Sequence, residues 1–188
     1  MAADEGNTSG AFSIDHELEK QLEACKGEVA QGTVTLVTSD GHAHVIPRSI
    51  AVMSEFIKNA VTLDTGAHEL TLKHVDEVVI RPVIVWMCHH SSNPSRAISR
   101  PLRSANIAEI VGLWDANFLD SMPLELTFKV LLAANYLGLQ ALTELCCAKV
   151  ASLMLGKTPK QIRKIFNTKD DFTPEEEKAI REEYAEFL

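Results

Sequence analysis

The chain has 188 residues, 46% of them hydrophobic and 23% charged, with a net charge of −8. That length suits one ordinary domain with a small appendage, able to bury a core without a metal or disulfide scaffold. The negative charge argues against the basic face that duplex nucleic acid or an acidic membrane demands, and no apolar run reaches the ~20 residues that span a bilayer.

Residues 1–32 read as an acidic extension, either flexible or carrying a short amphipathic helix. In that helix Ser13 would be the cap, with Ile14, Leu18, Leu22 and Cys25 at near-helical spacing before Gly27 and Gly32. The opening Met1-Ala2-Ala3-Asp4-Glu5-Gly6 is polar and acidic, so no secretory leader is expected. From Thr33 the apolar period becomes two. Thr33–Val37 and His42–Ile46 alternate on either side of Asp40-Gly41, a pair suited to a tight hairpin turn. A helix follows, with Ile50, Met53, Phe56, Ile57 and Ala60 three and four apart, and His68–Leu72 reads as a third short strand. Asp76 is placed to cap a helix running to about His90. Pro82 inside that pattern should kink it or delay its start. Ser91 to about Asn106 is polar, with Pro94 and Pro101, and reads as a mobile loop.

The last third is punctuated by clear stops. Leu126–Leu137 is apolar on two opposite stripes of one helix: Phe128, Leu131 and Leu132 with Asn135 on one, Leu126, Val130, Ala133 and Leu137 behind. A helix with two apolar faces is fully buried or lies between its own domain and something else. After Gly138 a second helix is expected from about Leu139 to Leu155. On it Leu142, Cys146, Val150 and Leu153 share a face that Cys147, Ala151 and Met154 widen. Such small, soft side chains suit a groove for a partner helix. Thr158-Pro159-Lys160-Gln161 and Thr173-Pro174-Glu175-Glu176 are two capping boxes, each opening a short helix that is marginal in isolation.

Sharper chemistry finds little support in these residues. Cys88-His89-His90 on a helix points three ways and has no second pair at metal-ligand spacing, His42 and His44 have no evident ligand partner, and no glycine-rich phosphate loop is present. Nothing places a base beside Cys146 or Cys147, neighbours badly placed to pair with each other. Four cysteines without a spaced framework read as reduced thiols, as in cytosol or nucleus. No metal and no cofactor is therefore expected.

Taken in order, Ser39-Asp40-Gly41, Ile57-Lys58, Trp86 with His89-His90, Trp114-Asp115 and Phe118-Leu119 lead to a denser set. That set is Leu132–Leu137, Gly156-Lys157-Thr158-Pro159, Ile162-Arg163-Lys164, Phe166-Asn167 and Asp171–Glu177. Together they resemble the S-phase kinase-associated adaptor family of SCF ubiquitin ligases, over about residues 33–184. The resemblance implies an α/β fold: a BTB/POZ-type domain with a small three-stranded sheet at residues 33–137, then a C-terminal helical extension at 138–188. It implies a non-enzymatic adaptor, cytoplasmic and nuclear. Such an adaptor bridges a cullin, and through it a RING subunit, to F-box substrate receptors. The alternative is a scaffold that keeps F-box proteins without the cullin, as in a kinetochore-type assembly.

Carried over by position, Ile57, Lys58, Asn135 and Tyr136 would face the cullin. Phe128, Leu131, Leu142, Cys147, Val150, Ala151, Met154, Ile162 and Asn167 would face the F-box. The family's closing asparagine–glutamine–tryptophan segment is replaced here by Tyr184–Leu188, with Phe187 in the tryptophan's role. The family's commonly acidic loop is here basic, with Arg96, Arg100 and Arg103, and residues 1–32 and Pro82 have no family counterpart. In some protist members the proline of the Asp-Phe-Thr-Pro-Glu motif is hydroxylated and glycosylated, and Pro174 holds that place.

Overall fold

Alternation from Thr33 builds a hairpin, and the hairpin organises everything packed behind it. The computed structural model describes residues 12–24, 32–63, 68–169 and 172–184. Strand β1 (Thr33–Val37) pairs antiparallel with β2 (Ala43–Pro47), and β3 (Glu69–Thr71) adds in parallel on the other side of β1, giving the order β2-β1-β3. Val34, Leu36 and Ile46 send their side chains to the buried face, as the two-residue period requires. The turn is fastened to the next layer. Asp40 accepts hydrogen bonds from the Thr38 hydroxyl and from the backbone N–H of Glu77, and these hold its carboxyl down at about 2.

Helices α2 (Arg48–Ala51) and α3 (Glu55–Leu63) replace the one helix expected between strands. The break is tertiary in origin: buried Ser54 accepts the N–H of Ile57 at 3.1 Å, starting α3, and donates its hydroxyl to the Leu137 carbonyl at 2.6 Å. Helix α4 (Glu77–Ser92) begins where Asp76 caps it, its side chain accepting from the Val79 N–H. Pro82 does not delay it. It lies near the N-terminal end, and the Val78 carbonyl, which the N–H missing at Pro82 would otherwise meet, belongs to an exposed residue. From Val79 to Cys88 nearly every α4 side chain is buried, which makes α4 the central helix of the core.

Helices α1 (Ile14–Ala24) and α7 (Leu124–Tyr136) pack on α4, and α5 (Ile107–Val111), α6 (Leu113–Asp120) and α8 (Gln140–Met154) add side chains to the same core. Of the two readings of the N-terminal extension, residues 14–24 take the helical one. Helix α1 packs on α4 through buried Leu18, and Asp15 pairs with Arg81 at 2.9 Å. Phe12 meets Trp114 edge-on at 5.6 Å, and Trp114 stacks on both His89 (3.6 Å) and Phe118 (5.5 Å). Cys25 lies outside the described residues. Helix α7 ends at Gly138, whose φ of 68° and close approach to Glu55 (3.0 Å from where a Cβ would stand) leave room only for glycine.

The chain divides into two compact units, residues 1–152 and 153–188. The boundary falls near the end of α8 rather than before it, because Leu142, Leu145, Cys146 and Ala148 are part of the first unit's core. The second unit holds α9 (Pro159–Phe166) and α10 (Pro174–Glu183), each opened by a complete capping box, with Asn167 in the left-handed region closing α9. No residue of α9 is buried.

Two imidazoles give the fold a pH dependence. Burial lowers His44 on β2, and burial followed by the neighbouring His90 lowers His89 against Trp114. The unfolded chain then binds protons at a higher pH than the folded one, so stability is complete above the ordinary histidine value of about 6.5 and is lost as pH falls. Thermal melting should show Tm dropping from about pH 7.5 to about pH 5.5. His89→Phe, which keeps a ring against Trp114, should reduce that drop; an unchanged slope in this variant would remove His89 from the account.

Candidate partner-binding surfaces

Helix α7 separates its two apolar stripes into an inside and an outside. Val130, Ala133 and Ala134 are buried in the core with the following Leu137, and Thr127 is buried with them. Leu132 is 67% exposed and Phe128 39%, Asn135 is exposed, and Leu131 is half-buried. The outward stripe ends at a second structured patch. Tyr136 packs on Phe56 of α3 with ring centres 4.8 Å apart and meets His74 edge-on at 5.8 Å. Beside it His74, Asp76, Lys129, Leu132 and Tyr136 line an open depression of about 360 Å³. The Phe56 N–H donates to the Leu137 carbonyl at 3.3 Å, so α3 and the end of α7 are one rigid piece of surface. Phe128 and Leu132, four residues apart on a helix whose opposite face is sealed into the core, make this outward stripe a candidate partner surface.

The profile of the Skp1 family tetramerisation domain matches residues 32–92, and that of the Skp1 family dimerisation domain matches residues 140–187. The S-phase kinase-associated protein 1 homolog of Tetrahymena thermophila is 38% identical over 151 residues, covering 80% of this chain and 90% of that protein. The chain belongs to the Skp1 family. Two proteins named E3 ubiquitin ligase complex SCF subunit sconC stand at similar distance. That of Arthroderma otae is 37% identical over 82% of this chain and 93% of its own length; that of Aspergillus clavatus is 39% identical over 80% and 94%. The α/β POZ-type fold with a three-stranded sheet, expected from the sequence, is the fold of this Skp1-family chain.

Within that fold the residues carried over for the cullin side come together only in part. Lys58 and Asn135 are exposed and Tyr136 is half-buried, all on the joined α3–α7 piece. Ile57 is corrected. It is completely buried, on the inward stripe of α3 with Val61, and serves the core rather than a partner. Leu142 is corrected likewise: it is fully buried and pairs in spacing with Leu145 and Cys146 on the face of α8 that enters the core. On the other face Cys147 is exposed, and Val150 and Ala151 are half-buried. Burial pushes the Cys146 thiol up to about 12, which makes it an inert core residue.

In the second unit Met154 and Asn167 are exposed and Ile162 is half-buried. Ile165 and Phe166 continue the half-buried stripe of α9, and Arg163 lies 5.6 Å over the Phe172 ring. Phe187 lies outside the described residues. Pro174 is the exposed first residue of α10, preceded by the Thr173 cap. Among the described residues no group of three His, Cys, Asp or Glu side chains is placed to hold a metal ion, and no helix is long and apolar enough to cross a membrane.

Leu132 is placed on the outward stripe by its spacing from Asn135, though the sequence assigns it no partner role. Two contributors have no such signal. Phe56 and His74 are placed beside Tyr136 only by the tertiary fold.

Proposed function

We propose that the chain is the adaptor subunit of an SCF-type ubiquitin ligase, working in cytoplasm and nucleus. It holds a cullin with α3 and the C-terminal end of α7, reaches a RING subunit through that cullin, and receives F-box proteins on the outward face of α8 and on the helices of the second unit. The observation that carries this reading is the division of α7 into a sealed inner stripe and an exposed outer one running from Phe128 through Leu132 to Asn135. An adaptor needs surfaces rather than a reactive centre. The names of its relatives, SCF subunits among them, support the same reading.

The test is reconstitution from purified parts: this chain, a cullin N-terminal domain and an F-box domain should elute together as one ternary complex. Val150→Asp sets a carboxylate into the apolar strip of α8 and should weaken F-box binding at least about tenfold while cullin binding persists. F-box binding without any cullin binding would instead mark a scaffold outside the ligase. Binding to neither would end the adaptor reading.

A further inference from the structure

The segment joining α4 to α5, residues 93–106, reverses the charge of the chain. It carries Arg96, Arg100 and Arg103 and no Asp or Glu, in a protein of net charge −8. It forms no helix or strand, yet it is not loose polar loop throughout. Ile98 and Leu102, four residues apart, are half-buried and packed against the core, and the Arg100 guanidinium pairs with Glu144 of α8 at 3.1 Å. Between this segment and α8 lies an open cleft of about 310 Å³. Ile98 and Leu102 line it from one side and Cys147, Ala148 and Ala151 from the other, with Arg100 and Glu144 on its wall.

We propose that residues 93–106 are part of the F-box-binding surface, and that they favour F-box proteins presenting a large apolar side chain flanked by carboxylates. The inference rests on the F-box reading of α8 and deepens it. Cys147 and Ala151, which carry that reading, are also walls of the cleft, so an occupant of the α8 face meets Ile98 and Leu102 in continuation of the same apolar floor. The charge chooses the rim. The Arg100 side chain is 74% exposed and Arg103 is exposed, so both present donors to an incoming carboxylate. Glu144 does not hold Arg100 back, because the same carboxylate also accepts from Gln140 at 3.0 Å and stays partnered when the guanidinium turns outward. An F-box helix with lysines at those flanks would meet like charge instead.

The experiment measures binding by calorimetry of two F-box domains identical except for acidic or lysine residues flanking the docking helix. Each is titrated into the wild-type chain and into Arg100→Glu/Arg103→Glu, at low and at high salt. The wild type should prefer the acidic domain about fivefold at low salt, and the preference should shrink at high salt. The double variant should lose or invert the preference, with its cullin binding unchanged as the sign that it is folded. Equal affinities of both domains for both proteins would overturn the role of the segment and leave the F-box reading standing. Failure of both domains to bind the wild type would overturn the F-box reading, and this inference with it.

Discussion

A chain carrying Leu132→Asp with Asn135→Lys is expected to lose cullin affinity by about 30-fold or more while its melting temperature moves by only a few degrees. The small stability effect follows from exposure: Leu132 is 67% exposed and Asn135 is exposed, so neither substitution opens a cavity or strands a polar group in the core. Lysine at 135 even suits the last turn of a helix, where the dipole favours a cation. The large binding effect comes from what a partner would cover. A carboxylate at 132 would enter an interface centred on an apolar side chain, beside the Tyr136–Phe56 pair, and would be desolvated without a partner. Surface plasmon resonance with a cullin N-terminal domain, paired with circular dichroism melts, separates the two effects. F-box affinity should fall much less than cullin affinity, because neither residue is among those carried over for the F-box and the α8 face is untouched. Undiminished cullin binding would place the cullin surface elsewhere on the molecule.

What could be read from the residues was whatever is decided locally. The hairpin is written in the alternation around Asp40-Gly41, and both capping boxes are complete in the structure because Thr158 with Gln161 and Thr173 with Glu176 need only their own turn. The two stripes of α7 were equally legible. What periodicity left open is which side of an apolar helix faces inward: Ile57 and Leu142 lie on the buried stripes, while Lys58 and Cys147, one and five positions on, lie outside. Features made by distant residues were also hidden. Ser54 divides α2 from α3 only because the Leu137 carbonyl, 83 positions later, comes within reach of its hydroxyl. Phe12 is held by Trp114 and helix α1 by Arg81, neither near them in sequence, and Ile98 and Leu102 gain a role only where α8 passes them.

The second large effect concerns the base of the basic segment. His90 closes α4 and Asp115 opens α6, so their contact ties together the two ends of the stretch that includes residues 93–106. The pair is buried, with Nε2 of His90 2.9 Å from Oδ1 of Asp115 and Nδ1 2.6 Å from the Asn93 carbonyl, and the imidazole packs against Trp86 and Trp114. Asp115→Ala leaves a ring nitrogen buried with its partner gone, a loss of about 1–3 kcal/mol, which for a chain of this size is a fall in Tm of roughly 5 °C. Asp115→Asn keeps an oxygen acceptor at the same position and should cost clearly less. In a double-mutant cycle with His90→Leu, the two single losses should sum to more than the double variant's loss, because the leucine no longer needs the carboxylate. Strict additivity, or an Asp115→Ala protein that melts with the wild type, would show that the pair contributes nothing. If the pair does pin the segment, Asp115→Ala held well below its own Tm should also discriminate less between acidic and lysine-flanked F-box domains. The arginines would then be displayed from a less fixed backbone, with their charge unchanged.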